Sequence, residues 1–163
     1  MYDLNILLTR SLYYFMIKMK NQPLIVVCIA ILLICVGLSG CINEREDIII
    51  DDNRYQNAPR DPFVFNRVKL NRNFLFLNVS YSGGCEEHIF LLIATSFMES
   101  YPVQVNVVLS HEDNDDPCDA WITEKMVFNL LPLKKAYQEH YSETSGKIIL
   151  NLEGWEESIT YAF

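Results

Sequence analysis

Basic side chains are scarce in this chain: 13 Lys and Arg stand against 21 Asp and Glu, a formal charge of -8. Nothing here can neutralise a run of phosphates, which argues against nucleic acid as a partner. Glycine is equally sparse, at six residues. No glycine-rich phosphate loop occurs, and no zinc-protease helix motif either. No segment repeats at a solenoid period. Apolar residues are not lacking, since they make up 50% of the chain, with 12% aromatics. That excludes a wholly disordered chain and supports a packed core. A length of 163 residues suits one ordinary domain.

Charge is absent from Asn21 to Asn43. Within that gap Leu24 to Leu38 reads LIVVCIAILLICVGL, with Lys18 and Lys20 before it and Ser39-Gly40-Cys41 after it. A basic region, an apolar block and small residues before a cut describe a secretory signal peptide. Leu38-Ser39-Gly40-Cys41 resembles the lipobox of prokaryotic lipoproteins. That resemblance implies cleavage before Cys41 and a diacylglyceryl group on its thiol. The alternative is an uncleaved membrane helix, because Leu24 to Ile42 covers about 28 Å at 1.5 Å per residue, close to a hydrocarbon core of about 30 Å. In both readings Lys18 and Lys20 stay cytoplasmic and the remainder faces the exterior. The expected location is therefore the cell membrane, facing outward. The residues before Met19 fit no signal-peptide pattern, so translation is expected to start at Met19 or Met16.

Residues 1–40 thus form the leader, 41–61 a lipidated Cys and polar tether, and 62–163 the folded domain. Loss of the leader removes Arg10, Lys18 and Lys20 but only Asp3 among the acids. The exported part is more acidic still. Anionic headgroups repel such a surface, so attachment is expected to rest on the anchor. Acidity otherwise serves solubility, or the binding of cations and basic partners. Ile48 to Ile50 interrupt the polar tether and suit a short edge strand.

Beyond Pro62 the pattern is of strands. Phe63 to Leu70 suits a first one. In Asn73 to Tyr81, Leu75, Leu77, Val79 and Tyr81 share one face and Phe74, Phe76, Asn78 and Ser80 the other. Ser82-Gly83-Gly84 marks a turn. His88 to Met98 is apolar on both faces, as expected of a central, doubly covered strand. Glu99 to Pro102 breaks it, and Val103 to Leu109, Ala120 to Phe128, Gly146 to Leu152 and Glu157 to Phe163 follow. Pro132 to Tyr141 is the one helical candidate, with Pro132 in its first turn. The expected fold is mainly all-β: an antiparallel β-sandwich, in which an immunoglobulin-like arrangement is one form, with one short helix. A small barrel is the competing architecture. The helix is expected to cross between sheets or cap one end.

Two cysteines remain for the domain, Cys85 and Cys118. Two of the three histidines, His88 and His111, lie near them in sequence. In an antiparallel ribbon turning at Glu99 to Pro102, residues equidistant from the turn face each other. His88 with His111, and Cys85 with Cys118, come within about two residues of that condition, so all four should gather at one end. An exported chain with two such cysteines most simply forms one disulfide. Closing that loop of about 34 residues stabilises by about 3.8 kcal/mol in the chain-entropy estimate. The alternative is a metal site, since Cys85, His88, His111 and Cys118 satisfy tetrahedral zinc or hold copper(I). In a disulfide-bonded domain His88 and His111 form a structural pair or a weak pH-sensitive contact.

Other candidates are weaker. His140 reads as a solvated helix residue. Glu112 to Asp116 offers hard oxygen ligands, but Pro117 stands where a calcium loop needs glycine, and a solvated loop is expected. Asn78 heads a glycosylation sequon that lies inside a strand. Ser110 beside His111 makes no triad by adjacency, and a disulfide would remove Cys85 as a nucleophile. No catalytic residue is assigned and the chain is not expected to be an enzyme; a hydrolase is the third reading.

The stretch Ser80 to His88, with Leu109-Ser110-His111 and Cys118-Asp119-Ala120, is similar to a group of short prokaryotic lipoproteins without known activity. The resemblance covers residues 73 to 152 and implies an exported domain. Together these readings point to a membrane-anchored extracytoplasmic binding or envelope-structural module, with no cofactor and an unspecified protein or small-molecule ligand. The alternative is a metal-binding lipoprotein.

Overall fold

The computed structural model describes residues 45–163. The leader, Cys41 and the alternative starts lie outside the described residues. Two short strands, β1 (Glu46–Asp47) and β2 (Ile49–Ile50), precede helix α1 (Asp52–Gln56). Then come β3 (Val64–Asn71), β4 (Phe74–Gly83), β5 (Ile89–Ala94), β6 (Val103–Glu112) and β7 (Ala120–Asn129). Helix α2 (Leu131–Tyr141) leads to β8 (Lys147–Leu152) and β9 (Ile159–Ala162). The strands form two sheets, ordered β1-β7-β4-β3 and β2-β5-β6-β8-β9. Their apolar faces meet in one core, so the all-β sandwich is the fold.

The period-2 pattern of β4 decides its facing. Leu75, Leu77, Val79 and Tyr81 are all buried, because each alternate side chain points to the same side of a pleated strand. The β5–β6 ribbon pairs Ile89 with Glu112 and Phe90 with His111, through to Ala94 with Val107. Its centre falls between Ser100 and Tyr101, at the turn that the sequence marks. In α2, Pro132 sits in the first turn, where its missing N–H costs no helical bond. Leu133 and Tyr137, four residues apart, both reach the core. The helix carries the chain from β7 in one sheet to β8 in the other.

Strand direction departs from the expected antiparallel arrangement. Pairs β1/β7, β2/β5 and β6/β8 are parallel, so both sheets are mixed and the immunoglobulin pattern of antiparallel sheets does not form. A parallel neighbour needs a long crossover, and for β8 the connection containing α2 supplies one.

The expected tether also gives way to structure. Ile48 is buried, and its N–H donates to Asn129 O at 3.0 Å, while Asp51 N–H donates to Ala94 O at 3.0 Å. Asp51 caps α1 by accepting from Arg54 N–H. Tyr55 and Ala58 then pack on Ile93 and Val108, on the outer face of the second sheet. Residues 45–61 therefore belong to the domain. A few apolar side chains in a polar stretch suffice when two open sheet edges offer backbone partners. This segment is also what covers the second face of β5.

Candidate functional site

The cysteines and histidines converge at the end of the β5–β6 ribbon. After β4 the backbone turns at Gly83-Gly84, with Gly84 at φ 121. A Cβ on Gly83 would collide with the His88 ring and approach Asp116 Oδ2 to 2.9 Å. Only glycine lets the backbone come this close. The turn delivers Cys85 to the loop that follows β6, where a disulfide joins it to Cys118 across a Cα separation of 5.7 Å.

Asp116, in that same loop, organises the cluster. Its Oδ2 accepts from the N–H groups of Gly84 (2.7 Å), Cys85 (2.9 Å) and Glu86 (3.1 Å), and its Oδ1 from Cys118 N–H at 2.8 Å. Its side chain is 1% exposed, with His88 Nε2 at 3.2 Å. Burial opposes the charge, but the backbone donors of Glu86, Cys118 and Cys85 and the contact with His88 prevail. They hold the carboxyl well below the usual carboxylate range.

The histidines continue the chain of contacts inward. His88 Nδ1 lies 2.8 Å from His111 Nε2, and His111 Nδ1 lies 3.0 Å from the carbonyl of Asp61. Phe90 stacks on His111 at 4.2 Å between ring centres, and Tyr81 stacks on His88 at 4.5 Å. Burial is the main reason that His111 is held below the usual imidazole range; the Asp61 carbonyl pulls the other way. Tyr81 donates its hydroxyl to Glu124 at 2.8 Å. Burial first, then that carboxylate, push its phenol up to about 12.

The four predicted residues therefore gather in one cluster around Asp116. The sulfurs are bonded to each other and each of the four ring nitrogens has a hydrogen-bond partner. Cys85, Asp116 and Cys118 place ligand-type atoms within 4.8 Å of one another, yet here they serve as a disulfide and its backbone clamp. Ser110 donates to Pro59 O at 3.2 Å, and His140 is exposed on α2. Asn78 lies inside β4, accepting from the Asn66 amide at 3.0 Å. The sequence reading missed Asp116 as a functional side chain. The glycine turn before Cys85 marks a backbone nest for an anion but not which distant carboxylate fills it.

Beside this cluster lies an open cleft. Asp61 leads into residues 62–65, which line a cleft of about 540 Å³ together with Trp155 and the loop from Glu153 to Glu157. Phe65 packs edge-on against Phe63 at 5.0 Å and Trp155 at 6.1 Å. Gly154, at φ 80, permits the turn that presents Trp155. Arg60 pairs with Glu153 at 3.0 Å. Glu156 and Glu157 are exposed and have no ion-pair partner among the described residues.

No protein-family model matches the chain, and no curated protein sequence matches it. Solved structures do resemble it. A NigD-like immunity protein from Bacteroides caccae has a TM-score of 0.53 at 15% identity, over 72% of this chain and 64% of that one. A protein of unknown function from Bacteroides vulgatus has a TM-score of 0.44 at 13% identity, over 73% and 55%. A toxin-related protein from Parabacteroides distasonis has a TM-score of 0.43 at 19% identity, over 73% and 60%. The chain spans less than two thirds of the length of each. At such identities the first likeness shows a shared β-rich fold and nothing finer.

Proposed function

We propose that the chain is an exported, membrane-anchored lipoprotein whose domain binds a cationic, amphipathic ligand such as a basic peptide. The observation that carries this reading is the cleft between Phe63, Phe65 and Trp155, rimmed by the unpaired carboxylates of Glu156 and Glu157. An aromatic floor receives apolar side chains and the π face of a cation, while the rim supplies the opposite charge. The disulfide supports export, because such bonds persist in oxidising compartments. The immunity role named for the Bacteroides caccae protein would be one form of such binding.

Trp155 is a built-in reporter. Titration with a lysine-rich amphipathic peptide is expected to shift its fluorescence saturably, and the same peptide with glutamate for lysine is expected to leave it unchanged. The double variant Glu156→Lys, Glu157→Lys should lose the response while keeping the wild-type Tm. Equal responses to both peptides, or to neither, would remove the reading. The anchor is tested separately, by the mass of the peptide that begins at Cys41.

A further inference from the structure

The outer face of the first sheet carries a cationic patch on an otherwise acidic molecule. Register places Lys69 opposite Phe76, Arg67 opposite Asn78, and Lys125 opposite Asn78 from the other side. These side chains therefore share one face, away from the core, and line a shallow depression of about 560 Å³. Phe76 is 39% exposed at its centre. Arg67, Lys69 and Lys125 are exposed and have no ion-pair partner among the described residues. Cations left unpaired in a chain with this excess of acid, around an exposed aromatic ring, fit an anionic surface that also accepts an apolar group.

The chain enters the domain at this same face. Arg45 lies over the Phe74 ring at 5.0 Å, and Phe74 and Phe76 are alternate residues of β4, about 7 Å apart along the strand. From Cys41 to Arg45 is four residues, which span at most about 14 Å when fully extended. With residues 45–61 built into the fold, no long tether is left to hold the domain away from an anchor at Cys41.

We propose that this face, centred on Phe76 with Arg67, Lys69 and Lys125, rests on the anionic lipid headgroups of the membrane that carries the anchor. The proposal rests on the lipoprotein reading. Such apposition reverses locally the repulsion that the net charge implies, because headgroup attraction acts within about a Debye length. The cleft beside Trp155 is lined from the start of β3 and the loop after β8, by residues distinct from those of the patch.

The test uses the full chain, purified from membranes and reconstituted in vesicles of phosphatidylcholine alone or mixed with phosphatidylglycerol. Lysine acetylation by a water-soluble reagent is followed by mass spectrometry. Lys69 and Lys125 are expected to react several-fold more slowly in the mixed vesicles only. The exposed Lys135 and Lys147, on α2 and β8, should react equally in both. Salt at 1 M should restore reactivity, as the Debye length falls to about 3 Å. Equal rates for all four lysines, or equal protection in both vesicles, would overturn the proposal. So would protection found in native envelopes and absent from mixed vesicles, which would assign the patch to an acidic protein or glycan. The mass of the Cys41 peptide from the same sample keeps the two readings apart: a lipidated Cys41 with unprotected lysines sinks the surface alone, and an unmodified Cys41 with protected lysines sinks the anchor alone.

Discussion

His88 and His111 lie ring against ring, with Nδ1 of the first 2.8 Å from Nε2 of the second. The groups at either end of the pair fix where its protons sit. The Asp61 carbonyl only accepts, so His111 Nδ1 carries a hydrogen. Its Nε2 then accepts from His88 Nδ1. His88 Nε2 lies 3.2 Å from the Asp116 carboxylate, which already receives four backbone N–H groups. Nitrogen-15 spectra of the imidazoles should show His111 protonated at Nδ1, with its Nε2 an acceptor. A His111 protonated at Nε2 would break this assignment.

Acid should destabilise the domain in two windows. A second proton on His111 is disfavoured, because its Nε2 faces an N–H and burial holds this imidazole below its ordinary value. A folded-state value that is lowered means stability complete above the unfolded value of about 6.5, lost as pH falls through the folded one. Asp116 is also lowered. Its contribution is complete above about 3.9 and drains away as pH drops further, through its folded value. Tm measured from pH 8 to pH 2 should decline in both ranges. Asp116→Asn should start from a lower Tm and lack the more acidic decline; an unchanged acid limb in that variant would contradict the mechanism.

Removing the disulfide should cost more than a typical surface change. The bond joins residues 33 apart in sequence, and the chain-entropy estimate for a loop of that size is about 3.8 kcal/mol. The double variant Cys85→Ser, Cys118→Ser is expected to lower the unfolding free energy in urea accordingly, with m rising as the unlinked denatured chain expands. Reduced wild-type protein should match it. A shift under about 0.5 kcal/mol, the size of an ordinary surface substitution, would mean that Asp116 alone clamps the two loops.

How much of this was legible depended on the range over which each signal acts. The facing of Leu75, Leu77, Val79 and Tyr81 follows from a period of two, and the register of Phe90 with His111 from one turn position, so both could be read locally. Asp116 could not. Its partners are backbone N–H groups of residues 84–86, some thirty positions upstream, and no side chain there announces them. The cleft was hidden likewise, because Phe65 and Trp155 meet only once β3 and the loop after β8 are in place. Strand direction at β8 depends on a crossover between sheets, which composition does not encode.

Residues 45–61 were obscured by their average polarity, and a single substitution tests their standing in the fold. Ile48 is 3% exposed and sits between the two short strands, within the core that both sheets share. Truncating a buried isoleucine removes its transfer free energy and leaves a cavity, typically about 2–5 kcal/mol together. Ile48→Ala should therefore lower the unfolding free energy measured in urea by an amount in that range. The neighbouring Arg54→Ala, whose guanidinium lies 4.0 Å from Asp51 at the surface, should cost well under about 1 kcal/mol. A flexible spacer would make the two variants alike, since neither side chain would lose a packed environment. Limited proteolysis gives the same contrast by a second route: wild-type protein should resist cleavage at Arg54 and Arg60, and Ile48→Ala should become sensitive there first.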